Sequence, residues 1–144
     1  MRKKLNKNAT ALARYFDLGT REAEATELLL TEVTLAPGTT ITQQNAGGAR
    51  QILVLLEGTA DVLRDGEQIA TLGEGDLVGE ITMLGYAPWT TAEVRCTSKV
   101  RALAAGTADV ARLKPRGGFL AAMHEIAADR TAAAAKDRAD EISA

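Results

Sequence analysis

The sequence predicts a mainly β, α+β fold: helices first, a small antiparallel barrel of about eight short strands, and a long C-terminal helix. Three observations predict it. Between Leu53 and Val94, closely spaced glycines separate short apolar runs, as the corners of a small barrel require. The hydrophobic period changes from helical to two at Glu32. After Gly117-Gly118 it becomes helical again.

The elements follow in order. Ala11, Leu12, Tyr15 and Phe16 recur at helical spacing, and Asp17-Leu18-Gly19 breaks the run. Thr20 is placed to cap a second helix with Glu22 and Glu24 near its positive end, and Leu28, Leu29 and Leu30 finish it. Val33 and Leu35 then alternate with Thr34, Pro37-Gly38 turns the chain, and Thr39 to Thr42 is extended. Ala46-Gly47-Gly48-Ala49 reads as a loop. Gln51 to Leu56 is nearly continuous apolar sequence, the pattern of a strand enclosed on both faces.

Thr59 to Leu63 and Gln68 to Leu72 form a hairpin about Asp65-Gly66, which suits a tight turn with positive φ. Leu77-Val78 is a short strand, Gly79 to Leu84 one helical turn, and Ala92 to Leu103 a strand with Val94, Cys96 and Val100 inward. Ala108 to Leu113 makes a small helix before Pro115. In the terminal helix Phe119, Leu120, Met123, Ile126 and Ala127 share a face whose apolar stripe weakens after Arg130, while Ala132 to Ala135 keeps helix propensity high. No repeat or Pro/Ser-rich linker divides the chain. It reads as one domain over 1–144, with N-terminal helices in 1–31, the barrel in 32–104 and C-terminal helices in 105–144.

Composition narrows the function. The chain has 144 residues, 46% of them hydrophobic, enough for one core. A formal net charge of −2 gives no electrostatic reason to seek DNA or RNA. Arg2, Lys3, Lys4 and Lys7 read as a solvated leader. No apolar run approaches the ~18–20 residues of a membrane span, and no h-region follows the basic start. Cys96 is the one cysteine, so no internal disulfide forms and the expected location is the cytoplasm. One histidine, His124, cannot supply the histidine cluster of a metal enzyme on a cupin-like barrel. No nucleophile–base or paired-carboxylate arrangement stands out either, so no enzymatic activity and no cofactor are expected.

The composite of Glu57-Gly58, Asp65-Gly66, Gly73, Gly75-Asp76 and Gly79-Glu80 at their spacing resembles the cyclic nucleotide-binding domains of catabolite activator protein, protein kinase A regulatory subunits and gated channels. The resemblance covers about Arg21 to Arg130. It implies a double-stranded β-helix (jelly roll) and a phosphate-binding cassette at 78–92. Glu80 would accept from a ribose 2′-hydroxyl, and the backbone of Gly79, Ile81 and Thr82 would line the pocket. The implied ligand is cyclic AMP or cyclic GMP.

The family's cassette arginine is missing. Anchoring on Ala92 and Val94 puts Thr90 at that position, and anchoring on Pro88 puts Trp89 there. Arg95 is the nearest guanidinium, and strand alternation turns it to solvent. Thr90 and Thr91 offer neutral hydroxyl donors in its place. Trp89 either stacks on a purine face, or plugs the pocket or packs on the terminal helix. Glu80 either meets a ligand or closes its turn by accepting backbone N–H bonds. Asp76 is read as a local turn cap, and His124 as solvated or partly packed.

Two functions remain open: a sensor whose terminal helix answers to a cyclic nucleotide, and a ligand-free module for protein interaction. In either, a homodimer or a partner protein would be engaged through 116–143. No helix-turn-helix follows the long helix before Ala144, so DNA binding is not expected of this chain.

Overall fold

A computed structural model describes residues 6–44, 51–87, 90 and 92–143, apart from the side chains at 138 and 141–143. Two helices open it, α1 (Lys7–Phe16) and α2 (Thr20–Leu28). Asn6 caps α1 by accepting from the Ala9 amide, and Asp17 ends it in the left-handed region at φ 53°. Gly19, not Thr20, is the N-cap of α2, and Thr20 is its first residue. The helix stops at Leu28, which is left exposed while Leu30 turns into the core.

Eight strands follow among the described residues: β1 (Thr31–Leu35), β2 (Thr40–Thr42), β3 (Gln51–Glu57), β4 (Ala60–Arg64), β5 (Glu67–Leu72), β6 (Leu77–Val78), β7 (Glu93–Cys96) and β8 (Val100–Gly106). They form two antiparallel four-stranded sheets, in orders β1-β8-β3-β6 and β2-β7-β4-β5. This is the jelly roll that the resemblance implies. The strand foreseen from Ala92 to Leu103 is two strands that pair in different sheets. They part at 97–99, where Ser98 Oγ accepts from the Thr59 amide at 3.0 Å and Thr97 donates to the Thr59 carbonyl at 2.9 Å. The β4–β5 hairpin turns on Asp65 and Gly66 at φ 53° and 80°.

Alternation along β3 explains its unbroken apolar sequence. Ile52, Val54 and Leu56 join a cluster with Leu12, Phe119 and Met123 of the helices, while Leu53 and Leu55 face Val94, Cys96 and Ala102 between the sheets. β8 does the same with Leu103 and Ala105 against Val100, Ala102 and Ala104. Each strand is buried on both faces.

Three further helices complete the chain: α3 (Glu80–Met83), α4 (Thr107–Ala111) and α5 (Gly118–Ser143). Glu22 of α2 accepts from the Phe119 amide at 3.0 Å, satisfying a first-turn donor of α5 and fastening it to the N-terminal helices. No described helix is long and apolar enough to cross a membrane.

Candidate functional site

β6 runs into Gly79 at φ +90°, and a Cβ there would collide with the Gln51 carbonyl. Only glycine lets the chain pass so close to β3 and turn into α3. Glu80, the first residue of α3, is delivered inward at 1% exposure. Its carboxylate does not close the turn, as one reading held. It accepts from the guanidinium of Arg130 on α5, and the same nitrogen donates to the Leu77 carbonyl at 2.7 Å.

A cavity of about 290 Å³ opens beside this pair. Gly79, Glu80, Ile81, Thr82 and Thr90 all line it, so five of the expected site residues converge. Thr90 Oγ1 donates to the Gln43 carbonyl. Trp89 and Thr91 lie outside the described residues, as does the loop at 46–49. Other walls include residues of β4 and β5 (Val62, Arg64, Ile69, Ala70, Leu72) and of α5 (Arg130, Ala134, Asp137).

Sequence reading missed the two arginines. Arg130 continues the spacing of Met123 and Ala127, so a helical wheel places it on the buried stripe. That was the available signal, a charge where the stripe should be apolar. Arg64 ends β4 and pairs with Asp137 of α5 at 3.4 Å. Two ion pairs of opposite sense therefore fasten α5 across the cavity. Arg95 faces outward and pairs with Glu93 at 3.0 Å.

Other candidates take structural places. Asp76 accepts from the Gly73 amide at 2.8 Å, as a turn cap does. His124 is exposed and shares a 2.9 Å hydrogen bond with the Tyr86 hydroxyl, linking the segment after α3 to α5. A second hollow near α1 is slightly larger, but both arginines on its wall are paired with its glutamates, Arg14 with Glu74 and Arg101 with Glu57. The cavity at Glu80 has a buried carboxylate in an apolar wall, the combination that marks binding sites.

A family model described as the cyclic nucleotide-binding domain matches residues 32–115, more than half of the chain. The chain belongs to the cyclic nucleotide-binding domain family. Solved structures of similar fold include the catabolite activator protein of Thermus thermophilus, with TM-score 0.72 and 21% identity, covering 90% of this chain and 62% of that one. The regulatory subunit of a cAMP-independent protein kinase A from Trypanosoma cruzi, bound to guanosine, has TM-score 0.66 and 18% identity over 78% of this chain and 42% of that one. A triple mutant of the Trypanosoma brucei counterpart, in which one substitution exchanges threonine for arginine, is bound to cAMP in its A site. It has TM-score 0.65 and 18% identity over 78% of this chain and 44% of its own. The domain thus spans less than half of either trypanosome chain. No curated protein matches it in sequence.

Proposed function

We propose that this domain is a regulatory sensor that takes a cyclic nucleotide, cyclic AMP or cyclic GMP, in the cavity beside Gly79 and Glu80. α5 would pass the response to a partner protein or to a second copy of the chain. One observation carries the reading: a buried carboxylate on the cavity wall is bonded to Arg130 of the C-terminal helix. A ribose hydroxyl offered to Glu80 alters the surroundings of the group that holds α5. The ligand's preference for one α5 position over another is then the signal. Ile81 and Thr82 on the wall support a phosphate nearby, because first-turn amides have no acceptor inside their helix.

The phosphate is the weak end. A charge-assisted hydrogen bond contributes ~1.5–3 kcal/mol, so without a cassette arginine binding is about tenfold to a hundredfold weaker. That absence favours a second reading, a neutral purine nucleoside as ligand. The guanosine-bound trypanosome neighbour supports it.

Titration calorimetry with cyclic AMP, cyclic GMP and guanosine tests both, with fluorescence of the single tryptophan followed in parallel. Heat and a spectral change are expected below about millimolar ligand. Neither appearing overturns both readings and leaves the ligand-free interaction module. Thr90→Arg separates the two ligands: affinity for cyclic nucleotides should rise about tenfold to a hundredfold while guanosine binding stays level.

A further inference from the structure

Glu80 lines the cavity, yet its side chain is only 1% exposed. Arg130 lines the cavity too, and is 32% exposed. A molecule entering there meets the guanidinium before it meets the carboxylate. An ionised carboxylate has about four acceptor positions, enough for a ribose hydroxyl and Arg130 together. Burial removes that option. A hydroxyl reaches Glu80 only where Arg130 withdraws.

What Arg130 holds is the far half of α5. Up to Ala127 the helix is packed by Phe119, Met123 and Ala127, each at 1% exposure or less. Beyond it, among the described residues, only Ala134 is buried, and it brings a single methyl group. Asp137 pairs with Arg64 at 3.4 Å, but the aspartate side chain is 60% exposed, and pairs open to water contribute little. Arg130 reaches α3 and β6 at once, through the Glu80 carboxylate and through the Leu77 carbonyl at 2.7 Å. Without that tie, the helical segment 131–143 has a length that is marginal for a helix standing alone, about 12–15 residues.

We propose that Arg130 competes with the ligand for Glu80, so that binding releases the far half of α5 instead of fastening it. The inference rests on the sugar lying at Glu80, as in the proposed function, and gives that response its direction. With Glu80 bonded to Arg130, α5 is fastened. With a ligand hydroxyl donating to Glu80 instead, Arg130 turns to water and the segment 131–143 loosens. A contact that has to be displaced also lowers apparent affinity, by the fraction of molecules in which the site is open.

Two measurements on the whole chain test this. Titration calorimetry with cyclic AMP, cyclic GMP and guanosine compares the unaltered protein with Arg130→Gln, whose neutral amide still donates to Glu80. Arg130→Gln should bind about tenfold to a hundredfold more tightly, because no charge-assisted hydrogen bond is displaced. Hydrogen exchange read by mass spectrometry follows 131–143. Saturating ligand should speed it about tenfold in the unaltered protein, and Glu80→Gln should exchange as fast with none added. Thermal unfolding profiles verify the fold of both variants, and should either fail, exchange in the unaltered protein with and without ligand still decides. Weaker binding by Arg130→Gln would make the arginine a ligand contact and overturn the proposal. So would exchange at 131–143 that slows or stays level when ligand binds, or a Glu80→Gln that exchanges no faster than the unaltered protein. In those cases binding stands, and the proposed function with it. No heat from the unaltered protein and none from Arg130→Gln removes the sugar site, and both readings fall together.

Discussion

At Glu80 a carboxylate at 1% exposure is bonded to one side chain, Arg130, which is itself 32% exposed. Removing one partner of such a pair strands the other, and Arg130→Met should cost about 3 kcal/mol in urea unfolding. Replacing both, Glu80→Met with Arg130→Met, should cost less than the single change, because no charge is left buried. A double replacement at least as damaging as the single one would mean the pair contributes by packing alone. Cys96 is buried as well: burial pushes its thiol above the ordinary value, and a backbone hydrogen bond offsets this only in part. Thiol reagents should label it slowly in the folded domain and rapidly after denaturation. Strand alternation was enough to place Cys96 inward, whereas the partner of Glu80 could not be read at the residue itself, since a glutamate after glycine looks alike whether paired or free.

Among elements, α5 is the one whose sequence understates its role. Phe119 and Met123 are buried against the N-terminal helices and β3, with the Phe119 ring edge-on to Phe16 at 5.1 Å, and Ala127 on the same stripe is buried too. Phe119→Ala should cost about 3–5 kcal/mol in chemical denaturation, from lost burial and the cavity left behind. The stripe weakens after Arg130 because from that point the helix crosses a cavity instead of a packed sheet. Ala134 remains buried there, and Arg130 and Asp137 reach the sheet and α3 through ion pairs. Periodicity measures apolar contact, so it fades where contact becomes polar. The run at β3 was legible for the complementary reason: both of its faces meet apolar partners.

For the whole molecule, charge pairing across distant segments ties stability to pH. Glu32 is held below the usual carboxylate range by a hydrogen bond from Asn8 and then by Arg101, and Glu57 by Arg101. Both titrate lower folded than unfolded. Their contribution is therefore complete above the ordinary carboxylate range and is lost as pH falls through their lowered values. Unfolding midpoints should decline on acidification below about pH 4, and Arg101→Met should flatten part of that decline. An Arg101→Met profile parallel to that of the unaltered protein would remove the pair from the account.

The order of helices and strands, the enclosed strand at 51–56, the hairpin turn and the glycine–glutamate corner were written in local spacing, which is why they could be read along one dimension. The split of the 92–103 segment between two sheets was not, because pairing with β4 or with β3 depends on residues 30 to 55 positions away. The same holds for the site. The Gly79–Glu80 end was legible because its residues are contiguous. Arg64, Arg130 and Asp137 come from a strand and a helix far apart in the chain, and folding alone brings their charges to one cavity.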